Sequence, residues 1–287
     1  MLFLFPSELP DFGNLGGSAM RTAVCVVLVL MFAGGIIVAQ QRRRPAERQD
    51  RLAGIPSGAT KVVDLTYPLN DKFPRWPGDT RAFEARPHGT IEKDGYFTRD
   101  VWMLEHYATH MDAPAHFTAG KATVDEIPAE RLFGPAVVID ITSNVRDDVD
   151  YRLTTRRIER WEREHGRIQP GSIVLLRTGW AKRAGDEERY RNMGRGGNMR
   201  FPGFSVEAVK LLIERGVVGL GIDTMSVDYG RSKGFEVHKA SHGAGLYHLE
   251  NLADMSALPE SGAFLVVAPI KLEGGSGGAA RVFAILP

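Results

Sequence analysis

Residues 205–222 read as a helix that runs into a strand with almost no connection between them. Ser205 stands where a hydroxyl caps a helix N-terminus, Val206, Val209, Leu212 and Ile213 recur at helical spacing, and Gly216 ends the pattern. The β-branched run 217–222 follows at once. A helix feeding directly into an apolar strand is the building unit of α/β proteins, because each element covers an apolar face of the other. The alternation recurs along the chain. Short runs at 62–65, 137–141, 173–176 and 264–269 are mostly bounded by Gly, Pro or Asp, and residues 154–165 place Ile158 and Trp161 on one helical face before Gly166. The expected fold class is therefore α/β with a mixed sheet, in one domain without internal repeats. The Gly-rich stretch 273–280 is expected as a loop before a last strand at 281–286.

The domain is expected to occupy residues 61–287. Residues 41–60 turn to Arg, Glu, Gln, Pro and Gly with few apolar side chains and read as a flexible linker. Residues 1–40 read as a leader built around an apolar run at 23–39. Two readings of that run stay open. Met20-Arg21 before it and Val38-Ala39-Gln40 after it suit a cleaved signal peptide, whereas Arg42, Arg43 and Arg44 suit a retained membrane anchor with its C-terminal side in the cytoplasm. Either way the expected location is secreted or periplasmic, or tethered to a membrane.

Charge and sulfur narrow the chemistry. Thirty-six Lys and Arg against thirty-five Asp and Glu give a formal charge of +1, so no overall field would draw nucleic acid to the chain. A single cysteine, Cys25, excludes an internal disulfide and a thiolate zinc site, leaving nitrogen and oxygen as metal ligands.

Those ligands are concentrated. Six of the eight histidines fall in two short segments, His106, His110 and His116 in the first and His238, His242 and His248 in the second. The first reads His106-Tyr-Ala-Thr-His110-Met-Asp112-Ala-Pro-Ala-His116-Phe, with three imidazoles and a carboxylate of the kind Zn²⁺ or Mn²⁺ prefers when cysteine is absent. Neither regular period brings them together. On a helix Asp112 points away from His106 and His110, and on a strand the outer pair lies roughly 20 Å apart at about 3.3 Å per residue. The segment must bend, and Pro114 favours a break after Ala113, so the ligands are expected on a curved strand end leading to a loop that carries His116. In the second segment Gly243 and Gly245 make the spacing uninformative. Asp223 and Asp228 suit turns after buried strands, Trp76 suits either a substrate wall or a packed turn, and Arg177 suits a substrate carboxylate or an internal acid.

The first segment resembles the signature His-x-Gly-Thr-His-x-Asp-x-Pro-x-His-Phe of the putative cyclase or kynurenine formamidase family, with Ala108 in place of the glycine. Trp76-Pro-Gly-Asp79, Leu176-Arg-Thr-Gly-Trp180, Gly221-Ile-Asp-Thr-Met-Ser226 and Leu249-Glu-Asn-Leu252 are similar to further family motifs, in the same order, across 61–287. The resemblance implies a swivelling β/β/α domain, usually oligomeric, and one or two Zn²⁺ or Mn²⁺ ions. It implies that His106, His110, Asp112, His238 and Glu250 hold metal, with Asp112 bridging, that His116 stays unligated as proton donor and acceptor, and that Trp76 faces the substrate. His242 and His248 are left without a metal role.

The chemistry implied is hydrolysis of a small amide, arylformamide or lactam by a metal-activated water, with His116 protonating the departing nitrogen. Two alternatives stand beside it. One is a single-metal lactamase like isatin hydrolase, in which His238 and Glu250 build no second site. The other is an exported binding protein of the same fold that turns nothing over.

Overall fold

Eight strands hydrogen-bond into one sheet that closes on itself. They are β1 (Val62–Asp64), β2 (His110–Asp112), β3 (Phe133–Asp140), β4 (Ile173–Arg177), β5 (Gly219–Ile222), β6 (Tyr247–Glu250), β7 (Phe264–Pro269) and β8 (Gly277–Ile285). Their order is β1-β8-β7-β3-β4-β5-β6-β2, and β2 pairs a second time with β8, so seven strands form a ring and β1 adds outside it. Pairings from β3 through β6 are parallel and the others antiparallel, which makes the sheet mixed as expected.

The computed structural model describes residues 51–287, and the chain divides into two units, Met1–Ala59 and Thr60–Pro287, of which the second carries the sheet. In the first unit, residues 51–54 form a helical turn inside the stretch expected as linker. The apolar run 23–39 and Cys25 lie outside the described residues. Among the described residues no helix is long and apolar enough to cross a membrane.

Side chains alternate across the ring wall because strand side chains alternate. One face fills the interior with Met111, Val138, Leu175, Leu249, Leu265 and Val282, all buried. The middle strand β5 contributes glycines to that interior: a Cβ on Gly221 would collide with Leu175 and one on Gly219 with the Tyr247 ring. The other face of β3, β4 and β5, with Val137, Ile139, Val174, Leu176, Leu220 and Ile222, packs outward against helices α1 (Thr155–His165) and α2 (Val206–Glu214). Strands buried on both faces explain why these runs are apolar throughout instead of alternating.

Both expected helices form, α2 with its expected Ser205 cap and α1 with a Thr154 cap the sequence reading did not single out. The Thr154 hydroxyl accepts from Arg157 N and the Ser205 hydroxyl from Ala208 N. Gly216 sits at φ +73 after α2, a left-handed position that glycine adopts without strain. A further helix, α3 (Glu236–Gly243), packs on α2 and was not legible, because its polar residues give no apolar stripe.

The expected loop at 273–280 is corrected. β8 starts at Gly277, so the last four residues of that stretch lie in the strand, with Gly277, Gly278 and Ala279 opposite Asp112, Met111 and His110 of β2. Glycine is required there by close approach and not by a turn: a Cβ on Gly277 would stand 2.5 Å from the Met111 carbonyl oxygen and 2.6 Å from His106 Cε1. A hairpin pairing Phe83–Gly89 with Thr98–Met103 also escaped the sequence reading, since its strands are largely exposed and carry no apolar face. Arg177 proves to be internal: it pairs with Asp140 at 2.9 Å and donates to the Met255 and Leu258 carbonyls.

Candidate metal centre

β2 and β6 run antiparallel in register, His248 opposite Asp112 and Glu250 opposite His110. Met111 and Leu249 between them point into the ring, so His110, Asp112, His248 and Glu250 share the outer wall. Two further imidazoles reach this patch from loops. His106 comes from the segment before β2, which doubles back at Ala108 (φ +52), and His238 comes from the first turn of α3. After β2, Pro114–His116 turns as a 3-10 helix and brings His116 over His106, ring on ring at 3.8 Å. The strand is shorter than the sequence suggested, and the bend falls on both sides of it.

Hydrogen bonds fix which nitrogen of each ring points inward. His110 Nδ1 lies 2.9 Å from the Ala108 carbonyl, which can only accept, so that nitrogen carries the proton and Nε2 faces Asp112 Oδ1 at 3.0 Å and Glu250 Oε2 at 3.7 Å. His238 Nδ1 donates to Asp228 at 2.7 Å, and its Nε2 faces Asp112 Oδ2 at 3.4 Å and Glu250 Oε1 at 3.5 Å. The Ser241 hydroxyl donates to the Val237 carbonyl and therefore accepts from His248 Nε2 at 2.7 Å, leaving His248 Nδ1 3.5 Å from Asp112 Oδ2. The Ser276 hydroxyl donates to Glu105 and accepts from His106 Nε2, and His106 Nδ1 donates to Asp112 Oδ1 at 2.6 Å. Four imidazoles thus turn one nitrogen toward two carboxylates while an outer partner holds the other, the arrangement that orients metal-ligating histidines.

The residues fit a metal ion on two observations. Asp112 Oδ2 and His248 Nδ1 are buried acceptors without any hydrogen-bond partner, a costly state unless a cation satisfies both. Ligand atoms also gather in two groups that share Asp112: Asp112, His238, His248 and Glu250 in one, His106, Asp112 and His116 in the other. Electrostatics agree with the demand for positive charge. Burial opposes the charge on Asp112, yet His110 and His106 hold it well below the usual carboxylate range. Burial and the Asp112 charge push Glu250 upward. Burial and the neighbouring imidazoles lower His116 to about 4, which leaves it a neutral ring.

Among the expected residues, His106, His110, Asp112, His238 and Glu250 converge, and His116 and Trp76 line the same cavity of about 510 Å³. Its apolar wall is Trp76, Leu104, Phe117, Met225 and Phe235. Trp76 and Phe235 stand 6.2 Å apart and Phe117 and Phe235 5.3 Å apart, ring centre to ring centre. Asp223 proves structural, accepting from the Thr178 amide and hydroxyl. Asp228 caps α3 through the Val237 and His238 amides while orienting the His238 ring. The sequence reading left His248 without a metal role and did not single out the hydroxyls of Ser241 and Ser276, which the structure sets against His248 and His106. A signal for His248 was present, since two residues before Glu250 on a strand is the same face.

A closed mixed sheet with histidines and carboxylates converging on its outer wall at the floor of a cavity defines this molecule as a metal-dependent hydrolase. The chain belongs to the putative cyclase family, whose model matches residues 63–229. It is 36% identical over 251 residues to the isatin hydrolase of Roseibium aggregatum, covering 82% of this chain and 95% of that protein. It is 28% identical over 224 residues to the kynurenine formamidase of Bacillus cytotoxicus, covering 78% and 96%. A crystal structure of an isatin hydrolase bound to the product analogue thioisatinate superposes with a TM-score of 0.79 at 32% identity, over 85% of this chain and 98% of that one.

Proposed function

We propose that this hydrolase opens the C–N bond of a small aromatic amide or lactam, with Zn²⁺ or Mn²⁺ held by His106, His110, Asp112, His238 and Glu250. The observation that carries this reading is the set of imidazole nitrogens facing Asp112 and Glu250 at the floor of an aromatic-walled cavity. What a divalent ion supplies when bound there is polarisation of a carbonyl and activation of water near neutral pH. Trp76, Phe117 and Phe235 hold a flat ring and exclude water from its faces. His116, stacked on His106 and open to the cavity as a neutral ring, accepts a proton from the attacking water and passes it to the departing nitrogen, help typically worth about 10² to 10⁴ in rate. Similarity to isatin hydrolase and to kynurenine formamidase supports both a lactam and an arylformamide as the class of bond.

Two further parts of the proposal rest on other features. The apolar run 23–39 supports export, with cleavage or as a tethered form. Exposed Ile91, Tyr96, Phe97 and Val101 around the 83–103 hairpin support a homo-oligomer that covers them.

The test is metal content per chain on protein purified without added metal or chelator, paired with hydrolysis of isatin and N-formylkynurenine before and after chelation. Turnover of either that chelation abolishes and Zn²⁺ or Mn²⁺ restores is the expected result. Saturable binding of both with neither consumed would make the chain a binding protein. One ion per chain with full turnover would favour the single-metal lactamase.

A further inference from the structure

His248 stands outside the ligand set of that reading. We propose that His248 is the fourth ligand of an inner metal position, completed by Asp112, His238 and Glu250, and that this position is coordinatively closed. Chemistry then belongs to the outer position at His106, His110 and Asp112. The inference rests on the metal-dependent reading above and adds a ligand and a division of labour to it.

Four observations carry it. His248 is fully buried on β6 directly opposite Asp112, and its Nδ1 has no hydrogen-bond partner although it faces a carboxylate oxygen that also has none. Its other nitrogen is occupied by Ser241, whose own proton goes to Val237, so the bare lone pair on Nδ1 is set by the structure of α3. Three of the six donor separations are those around a small four-coordinate ion, and all six lie within 4.8 Å. Donors about 2.0–2.1 Å from zinc at tetrahedral angles stand roughly 3.3–3.4 Å apart, and here His238 to Asp112, His238 to Glu250 and His248 to Asp112 measure 3.4, 3.5 and 3.5 Å.

Ligand number distinguishes the two positions. The cavity is lined by His106, His110, Asp112, His116, His238 and Glu250, and of the proposed ligands His248 alone stands behind it. Behind His248 the His242 ring stacks at 4.0 Å, itself fully buried, so neither water nor substrate has room to join from that side. Four protein ligands without an open place mark a structural ion, and three protein ligands beside a cavity leave a place for the reacting groups.

The experiment compares His248→Leu, Ser241→Ala and His242→Leu with the unaltered chain, reading ions per chain by elemental analysis, the visible spectrum after cobalt(II) loading, and the thermal midpoint of each metal-free protein. The unaltered chain is expected to hold two ions and show the intense bands of four-coordinate cobalt. His248→Leu is expected to hold one ion and lose those bands. Ser241→Ala should keep both ions with one bound 10- to 100-fold more weakly, the usual effect of removing an outer partner, and His242→Leu should match the unaltered chain. Ser241→Ala decides the matter if His248→Leu fails to fold. Unchanged ion content, affinity and spectrum in the His248 and Ser241 variants would overturn the inference while leaving the hydrolase reading intact. An unaltered chain that binds no ion, before or after loading, would overturn both.

Discussion

His110 and Glu250 lie directly opposite each other on neighbouring antiparallel strands, and the His110 ring is turned toward Glu250 because its far nitrogen donates to the Ala108 carbonyl. Backbone pairing thus sets the distance between two groups that stand far apart in the sequence, and a loop carbonyl sets which nitrogen is presented. The geometry of the centre is consequently sensitive to positions that bear no ligand.

Ala108 is one such position. At φ +52 an alanine is strained by about 1–2 kcal/mol, while Ala108→Gly would lose a buried methyl worth about 0.8 kcal/mol and add roughly 0.4–1 kcal/mol of unfolded-state freedom. These nearly cancel, so Ala108→Gly should leave the thermal midpoint within a few degrees and keep turnover. Ala108→Val places a β-branched side chain in the same conformation and should lower the midpoint clearly and weaken metal binding. A melting curve and elemental analysis of both variants check this.

Gly277→Ala should remove metal and clearly lower the thermal midpoint. The new methyl meets the His106 ring and also the Met111 backbone carbonyl, so the β2–β8 pairing must give as well as the ring. Equal metal content and equal turnover in Gly277→Ala would show that the ring yields without consequence.

His116→Ala should keep its metal and lose turnover by about 10² to 10⁴. Loss of metal as well would make His116 a ligand, as its place in the group with His106 and Asp112 permits.

Acid should expose the contribution of Asp140. Burial works against its charge, but the Thr142 amide and the Arg177 guanidinium outweigh burial and lower its pKa. A carboxylate whose folded pKa is lowered adds stability that is present above the ordinary carboxylate range and lost as pH falls through the folded value. The gap in thermal midpoint between the unaltered chain and Asp140→Asn should hold near neutral pH and close below about pH 4. A gap that persists at pH 2 would assign it to packing instead.

The sequence made legible whatever depends on local pattern. The strands β1, β3, β4 and β7 and the helices α1 and α2 stand within a few residues of where periodicity and capping put them, and the first histidine segment announced its chemistry by density alone. What was hidden depends on partners distant in sequence. Gly277 and Gly278 look like a loop until β2 lies beside them. His248 looks idle until the β6 register sets it opposite Asp112. The exposed hairpin has no apolar face to betray it, and α3 is held by what it contacts more than by its own composition.

β2 is held on both sides, by β6 and by β8, for all three of its residues. Because strand side chains alternate, a slip of one residue in either pairing would bring Met111 to the outside and send His110 and Asp112 into the apolar interior. Misregistered chains would then be wholly inert, with no partly active form between. In any preparation, specific activity divided by metal content should therefore stay constant as folding yield varies, so that one assay counts correctly assembled molecules.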